Sequence, residues 1–108
     1  MKHGPIALVD DKVPVVVIAP KDFLFKKNIS NMQEIMARGG KVLLITDENG
    51  DKNTKEIKID KIVLQNVNEF VQPILYTIPI QLIAYFVAVK KGTDVDQPRN
   101  LAKSVTVE

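Results

Sequence analysis

The chain has no cysteine, no tryptophan and a single histidine among its 108 residues. Without thiols there is no disulfide and no thiolate metal site, and one imidazole leaves only carboxylates to complete a zinc site. No metal and no cofactor is expected. Charge of one sign is lacking too: 15 basic and 13 acidic residues are interspersed, for a net charge of +2. That balance builds no basic field of the kind phosphate-backbone binding requires, so nucleic acid is not an expected partner. Met1-Lys-His-Gly-Pro5 lacks the apolar region of a secretory leader, which makes the expected location cytoplasmic and Asn28-Ile-Ser30 a glycosylation match without meaning. The most apolar run, Ile74 to Val89, is 16 residues long and carries Thr77, Pro79 and Gln81. It is too short for a bilayer and suits a buried helix, so no membrane partner is expected. What remains, 45% hydrophobic and 26% charged residues, is the composition of one small globular domain.

Val13-Pro-Val-Val-Val-Ile-Ala-Pro20 is a β-branched run closed by proline, which predicts a strand covered on both faces and central in a parallel sheet. Asp22 can cap a helix over about 22–38, in which Phe23, Ile29, Met32, Ile35 and Met36 recur at helical spacing and Gly39-Gly40 supplies a left-handed stop. Lys41 to Asp47 predicts a second buried strand. Glu48 to Lys55, rich in Asn, Asp and Gly, predicts a solvated loop, and Ile57 to Leu64 a third strand. From Asn68 or Glu69 a long helix can start, with Pro73 in its first turn and Pro79 bending it, and it stops before Gly92. Beyond Thr93 helical periodicity vanishes. Strand, helix, strand, strand, helix predicts an α/β layered domain with a mainly parallel sheet and right-handed crossovers. Three strands are few for such a sheet, so further strands are expected upstream and the chain is expected to be a fragment.

Several patterns carry little chemistry. Asp47-Glu-Asn-Gly-Asp-Lys-Asn53 opens like a calcium loop, but Lys52 stands where such a loop needs glycine and Lys58 where it needs glutamate. Gly39-Gly40 ends a helix and enters a strand, the reverse of a phosphate-binding glycine loop. Met32 and Met36 belong to an apolar stripe, and Tyr76 and Tyr85 are expected to pack. His3 taken alone is an exposed bystander, yet its ordinary pKa of about 6.5 suits proton movement on a sugar hydroxyl. Lys103 taken alone is a solvated lysine. Its setting changes that reading: Arg99, Asn100 and Lys103 lie close together in a tail where Leu101, Ala102, Val105 and Val107 could anchor the backbone over a site.

Gly92-Thr-Asp-Val-Asp-Gln-Pro-Arg-Asn-Leu-Ala-Lys-Ser-Val-Thr-Val-Glu108 closely resembles the C-terminus of the glutamine:fructose-6-phosphate aminotransferase family, also called glucosamine-6-phosphate synthases. His3-Gly-Pro, Val13 to Pro20, Ala37-Arg-Gly-Gly40 and Pro73 to Tyr85 resemble successive pieces of that family's isomerase region, so the resemblance covers the whole chain in order. It implies the later part of a sugar-isomerase (SIS) domain: a partial three-layer α/β/α unit over residues 1–92, followed by an irregular active-site tail over 93–108. The activity implied is conversion of fructose-6-phosphate and glutamine-derived ammonia to glucosamine-6-phosphate by a homodimer. Lys103 falls on the family's catalytic lysine, which forms a Schiff base with the ketose. His3 falls on the histidine that opens the sugar ring and acts in the neighbouring subunit's site. Arg99, Asn100 and Ala102 fall in the substrate-binding loop that closes over the sugar.

Elementary chemistry agrees with these roles, because an amine must be neutral to attack a carbonyl and a closing tail would desolvate it. The sequence departs from the family at Phe86, which follows Tyr85 where the family often has histidine. It also has no counterpart of the glutaminase cysteine, of the Ser/Thr-rich phosphate loop or of the helix with the proton-moving glutamate, so this piece alone is expected to be inactive. The alternative is a non-catalytic SIS-type module that senses a sugar phosphate, which would have little use for Lys103. From pattern alone a free-standing α/β signalling domain also fits.

Overall fold

A computed structural model describes residues 4–97 of the chain. It is an α/β structure whose three strands are all parallel, the class expected. The elements in order are a 3-10 turn at Pro5–Leu8, β1 at Val15–Ile18, α1 at Phe25–Ala37, β2 at Val42–Asp47, α2 at Glu48–Asn53, β3 at Asp60–Leu64 and α3 at Gln72–Lys90. The chain divides into two compact units, one ending at Tyr76 and the other starting at Thr77.

In the first unit the sheet order is β1-β2-β3. Val15 pairs with Val42 and Ile18 with Ile45, while Leu43 pairs with Asp60 and Asp47 with Leu64. β2 is therefore the central strand, and almost every one of its residues is buried. β1 is not central, contrary to the expectation from its β-branched run. It forms an edge of the described sheet and alternates half-buried with exposed residues, leaving Val16 43% and Ile18 42% accessible. A run of β-branched residues reports strand preference, and its lack of polar alternation does not by itself bury both faces.

One face of the sheet packs on α1. Phe25, Met32 and Ile35 of α1 are buried against Ala19, Val42 and Leu44, with Val15, Val17, Ile29 and Met36 packed around them. Burying each of these larger side chains stabilises the fold by roughly 1.5–3 kcal/mol. α1 begins three residues later than Asp22 suggested. The Asp22 side chain instead accepts from the Leu24 N–H at 2.9 Å, holding a turn from which the helix then starts uncapped at Leu24. Its end is as expected: Gly39 adopts φ +83, its N–H donates to the Met36 carbonyl, and the Gly40 N–H donates to the Ile35 carbonyl. That pair of bonds is a Schellman closure, which needs a residue free of a Cβ penalty at the left-handed position.

The expected loop over 48–55 is replaced by the short helix α2. Asp47 stands at its N-cap in an extended conformation and accepts from the Gly50 N–H, and Glu48 and Asp51 lie in the first turn, where the helix dipole favours acids. The far end is held by buried Thr54, whose hydroxyl donates to the Gly50 carbonyl at 3.0 Å, and by Lys61, which reaches Asp51 at 3.0 Å and the Thr54 carbonyl at 2.8 Å. The same residues that deplete apolar content, Asn, Asp and Gly, are also the ones that cap and tighten a one-turn helix. Their composition hid it.

α3 starts at Gln72, later than expected, and continues through Pro79 to Lys90. Its 19 residues have a mean hydropathy of 1.5, so by length and composition it is long and apolar enough to cross a membrane, a test that core helices also pass. Burial is the expectation for this run, but within it only Tyr76 and Pro79 are buried, Leu75, Ile83 and Ala88 are half-buried, and Ile74, Ile78, Leu82 and Phe86 are at least half exposed. The helix closes on Gly92 at φ +68, with the Thr93 N–H and hydroxyl both donating to the Ala88 carbonyl.

Gly50 makes the tightest approach in the first unit, since a Cβ there would collide with Thr46 Oγ1 and lie 3.0 Å from the Phe25 ring. Gly50→Ala is expected to destabilise the fold by roughly 1–3 kcal/mol, as overpacking does. The check is the denaturant midpoint of the intact protein, and an unchanged midpoint would show that α2 does not press on β2.

Candidate functional site

In an open parallel sheet, ligands bind outside the carboxyl ends of the strands, where successive loops leave the sheet together. Here that edge carries Ala19 to Asp22 after β1, Thr46 to Gly50 at and after β2, and Gln65 and Asn66 after β3. Their side chains join the three exits. Thr46, fully buried, donates its hydroxyl to the Ala19 carbonyl at 2.6 Å. Asp47, 4% exposed, accepts from the Lys21 N–H on one oxygen and from the Gly50 N–H on the other, each at 2.7 Å. Asn66 donates to Glu48 at 2.9 Å, which links the exit of β3 to α2. Above this edge the Lys21 ammonium lies 4.9 Å from the Phe25 ring centroid, within cation–π range.

Asp47 is a buried acid, and its two oxygens accept from backbone amides of the loop after β1 and of the first turn of α2. Such short charge-assisted bonds are about twice as strong as neutral ones. Tyr76, at the start of α3, is buried nearby in the same unit. Its phenol pKa is pushed above the ordinary range, first by burial, which disfavours the phenolate, and then by the negative charges of Asp47 and Asp22. The group is therefore a protonated hydrogen-bond donor throughout the physiological range.

A groove of about 630 Å³ lies at the opposite edge, lined by Gly39 to Val42 and Lys58 to Asp60. Lys41 and Lys58 there flank the C-terminal end of α1, where cations complement the helix dipole. The groove is at the amino ends of the strands, opposite the edge where open parallel sheets bind ligands.

The residues singled out from the sequence, His3, Arg99, Asn100, Ala102 and Lys103, all lie outside the described residues. The structure shows the segments that adjoin them. A 3-10 turn with proline in its first position lies at Pro5–Leu8, and Thr93 to Gln97 are neither helix nor strand. Asp47, Thr46 and Asn66 were not anticipated. The available signal is Thr46-Asp47 at the end of a buried strand, where a polar pair has no apolar reason to be. Tyr76 was expected to pack, and it does, although packing leaves its hydroxyl to be accounted for.

Comparison with known proteins places these features in context. The SIS-domain family model matches residues 1–91. Over all 108 residues the chain is 59% identical to the glutamine–fructose-6-phosphate aminotransferase [isomerizing] of Mesorhizobium japonicum and 61% identical to that of Zymomonas mobilis. It spans 18% of the length of each of these curated relatives. Among solved structures, the C-terminal domain of glucosamine-fructose-6-phosphate aminotransferase from Francisella tularensis superposes with a TM-score of 0.78 at 45% identity, covering 89% of this chain and 27% of that one.

Replacing Asp47 by Ala strands two backbone N–H groups and removes the α2 cap, an expected loss of roughly 2–4 kcal/mol. Asp47→Asn keeps one strong acceptor and is expected to lose less. Unfolding measurements on the intact protein check the order, and amide exchange at Lys21 and Gly50 checks the cause: both amides should exchange faster in the Ala variant.

Proposed function

The chain belongs to the SIS-domain family, and on that premise we propose that it serves as the later part of the isomerase region of a glutamine:fructose-6-phosphate aminotransferase. The reading rests on one observation above all: identity of about 60% to enzymes of that name extends over the whole chain, tail included. The parallel sheet and its likeness to the Francisella tularensis domain support it. The whole protein would take fructose-6-phosphate and glutamine-derived ammonia and release glucosamine-6-phosphate, acting as a cytoplasmic homodimer without membrane or nucleic-acid partners. A regulatory module that only senses a sugar phosphate is the weaker reading, because the relatives are named as enzymes and the tail retains a lysine suited to chemistry.

In this proposal residues 1–92 form the SIS portion and 93–108 the active-site tail. The neutral Lys103 amine attacks the carbonyl of the open-chain ketose, and loss of water leaves a Schiff base. The amine is an ordinary ammonium in water, so the step requires a desolvated setting that lowers its proton affinity. His3, reaching the neighbouring subunit's site, opens the sugar ring by giving a proton to the ring oxygen and taking one from the anomeric hydroxyl. Arg99, Asn100 and the backbone around Ala102 hold the sugar beneath the tail. The described structure contributes the platform: α3 is closed at Gly92 and Thr93, so the tail departs from a defined point.

In the intact protein Lys103→Ala is expected to abolish amino-sugar synthesis while glutamine hydrolysis stays measurable; unchanged synthesis would refute the role of Lys103. For His3 the check is subunit mixing. His3→Ala and Lys103→Ala proteins, each inactive in synthesis, are expected to regain activity when their subunits are exchanged, because one site of the mixed dimer then has both residues. No recovery on demonstrated exchange would place His3 in its own subunit's site or outside the chemistry.

A further inference from the structure

Asn49 is followed by Gly50, and no other asparagine in the chain precedes a glycine. That dipeptide is the one most prone to spontaneous deamidation, because glycine leaves the following peptide nitrogen unhindered. The nitrogen attacks the asparagine side-chain carbonyl carbon. The new N–C bond closes a five-membered succinimide, and the side-chain nitrogen leaves as ammonia. Water then opens the ring to aspartate or, with the backbone rerouted through the side chain, to isoaspartate. Asn49 is exposed at the carboxyl edge of the sheet, so water reaches it. Gly50 is not exchangeable for a less reactive neighbour, since a Cβ there would collide with Thr46. The packing of α2 on β2 therefore puts a labile pair at this edge.

Three features of the fold stand against the reaction. Attack requires the Gly50 nitrogen to lose its proton, and that N–H is held at 2.7 Å by Asp47 Oδ1 in a buried position. The carboxylate charge beside it opposes formation of the amide anion. Ring closure also turns the Asn49 backbone out of helical geometry. Asn49 lies in α2, where the Asn53 side chain donates to the Asn49 carbonyl at 2.6 Å and the Thr54 hydroxyl to the Gly50 carbonyl at 3.0 Å. We propose that Asn49-Gly50 is a latent deamidation site, closed in the folded protein by the Asp47 cap on the Gly50 N–H and opened whenever the first turn of α2 frays. The product has a structural consequence. Isoaspartate adds a methylene to the backbone between Asp47 and Gly50, which displaces the Gly50 N–H from the cap and leaves the end of α2 open.

The test is to age the intact protein at mildly alkaline pH and map its peptides for isoaspartate in place of Asn49. In the native protein the product is expected to accumulate far more slowly than in the same protein unfolded in denaturant, and equal rates would overturn the proposal. Asp47→Ala, aged under conditions where it remains folded, is expected to raise the native rate roughly 2- to 30-fold, the equivalent of one lost N-cap. Asp47→Asn keeps an acceptor for the Gly50 N–H and is expected to raise it less; this variant carries the comparison if the Ala variant does not fold. An unchanged rate in a variant whose Gly50 amide nevertheless exchanges faster with solvent would also overturn the proposal, because the cap would then not be the lock.

Discussion

A parallel sheet leaves its loops together at one edge, where no strand ladder can pair them, and the structure depends on how that edge is closed. Asp47 closes it. A carboxylate that is almost fully buried must find its solvation inside the protein, and this one finds it in the amides of Lys21, in the loop after β1, and of Gly50, in the first turn of α2. The residue ends the central strand, caps the following helix and holds the exit of the neighbouring strand at once. Thr46 reinforces the same junction from the adjacent position, with its hydroxyl on the Ala19 carbonyl. Because Asp47 and Thr46 sit on opposite faces of β2, the two bonds fix the β1 exit from both sides of the sheet.

Much of the fold was legible because its signals are local. Gly39-Gly40 announced a helix end through the one backbone conformation that other residues resist, and the β-branched runs announced strands. The errors came where the deciding contacts are distant. Nothing near residues 48–53 reports that Gly50 must lie against Thr46 and Phe25, so a helix composed of loop-forming residues read as a loop. Nor does the interior of Val13 to Pro20 say which strands flank it. Asp22 illustrates a finer ambiguity: an acid two residues before a backbone N–H can hold a turn or cap a helix with the same oxygen, and the choice rests on where the apolar face of α1 begins to bury.

The site divides differently. Its chemical residues were legible only through resemblance, since a histidine near one end and a lysine near the other have no spacing that marks them as a pair. The carboxyl-edge residues, by contrast, are visible only in the fold. Asp47, Asn66 and Tyr76 have no reactive task in the proposed chemistry, and a motif search has no reason to stop on them. Their importance lies in holding that rim still.

That rim is not level. β1 pairs with β2 only as far as Ile45, whereas β3 continues beside it to Asp47, so the edge descends like a step toward β1. Ala19 to Asp22 follow from the lower tread, while Asp47 ends the upper one beside Leu64. The strand β1 therefore stops short, and it is the segment after it that must climb to β2, held there by the Thr46 hydroxyl on the Ala19 carbonyl and by the Lys21 N–H on Asp47.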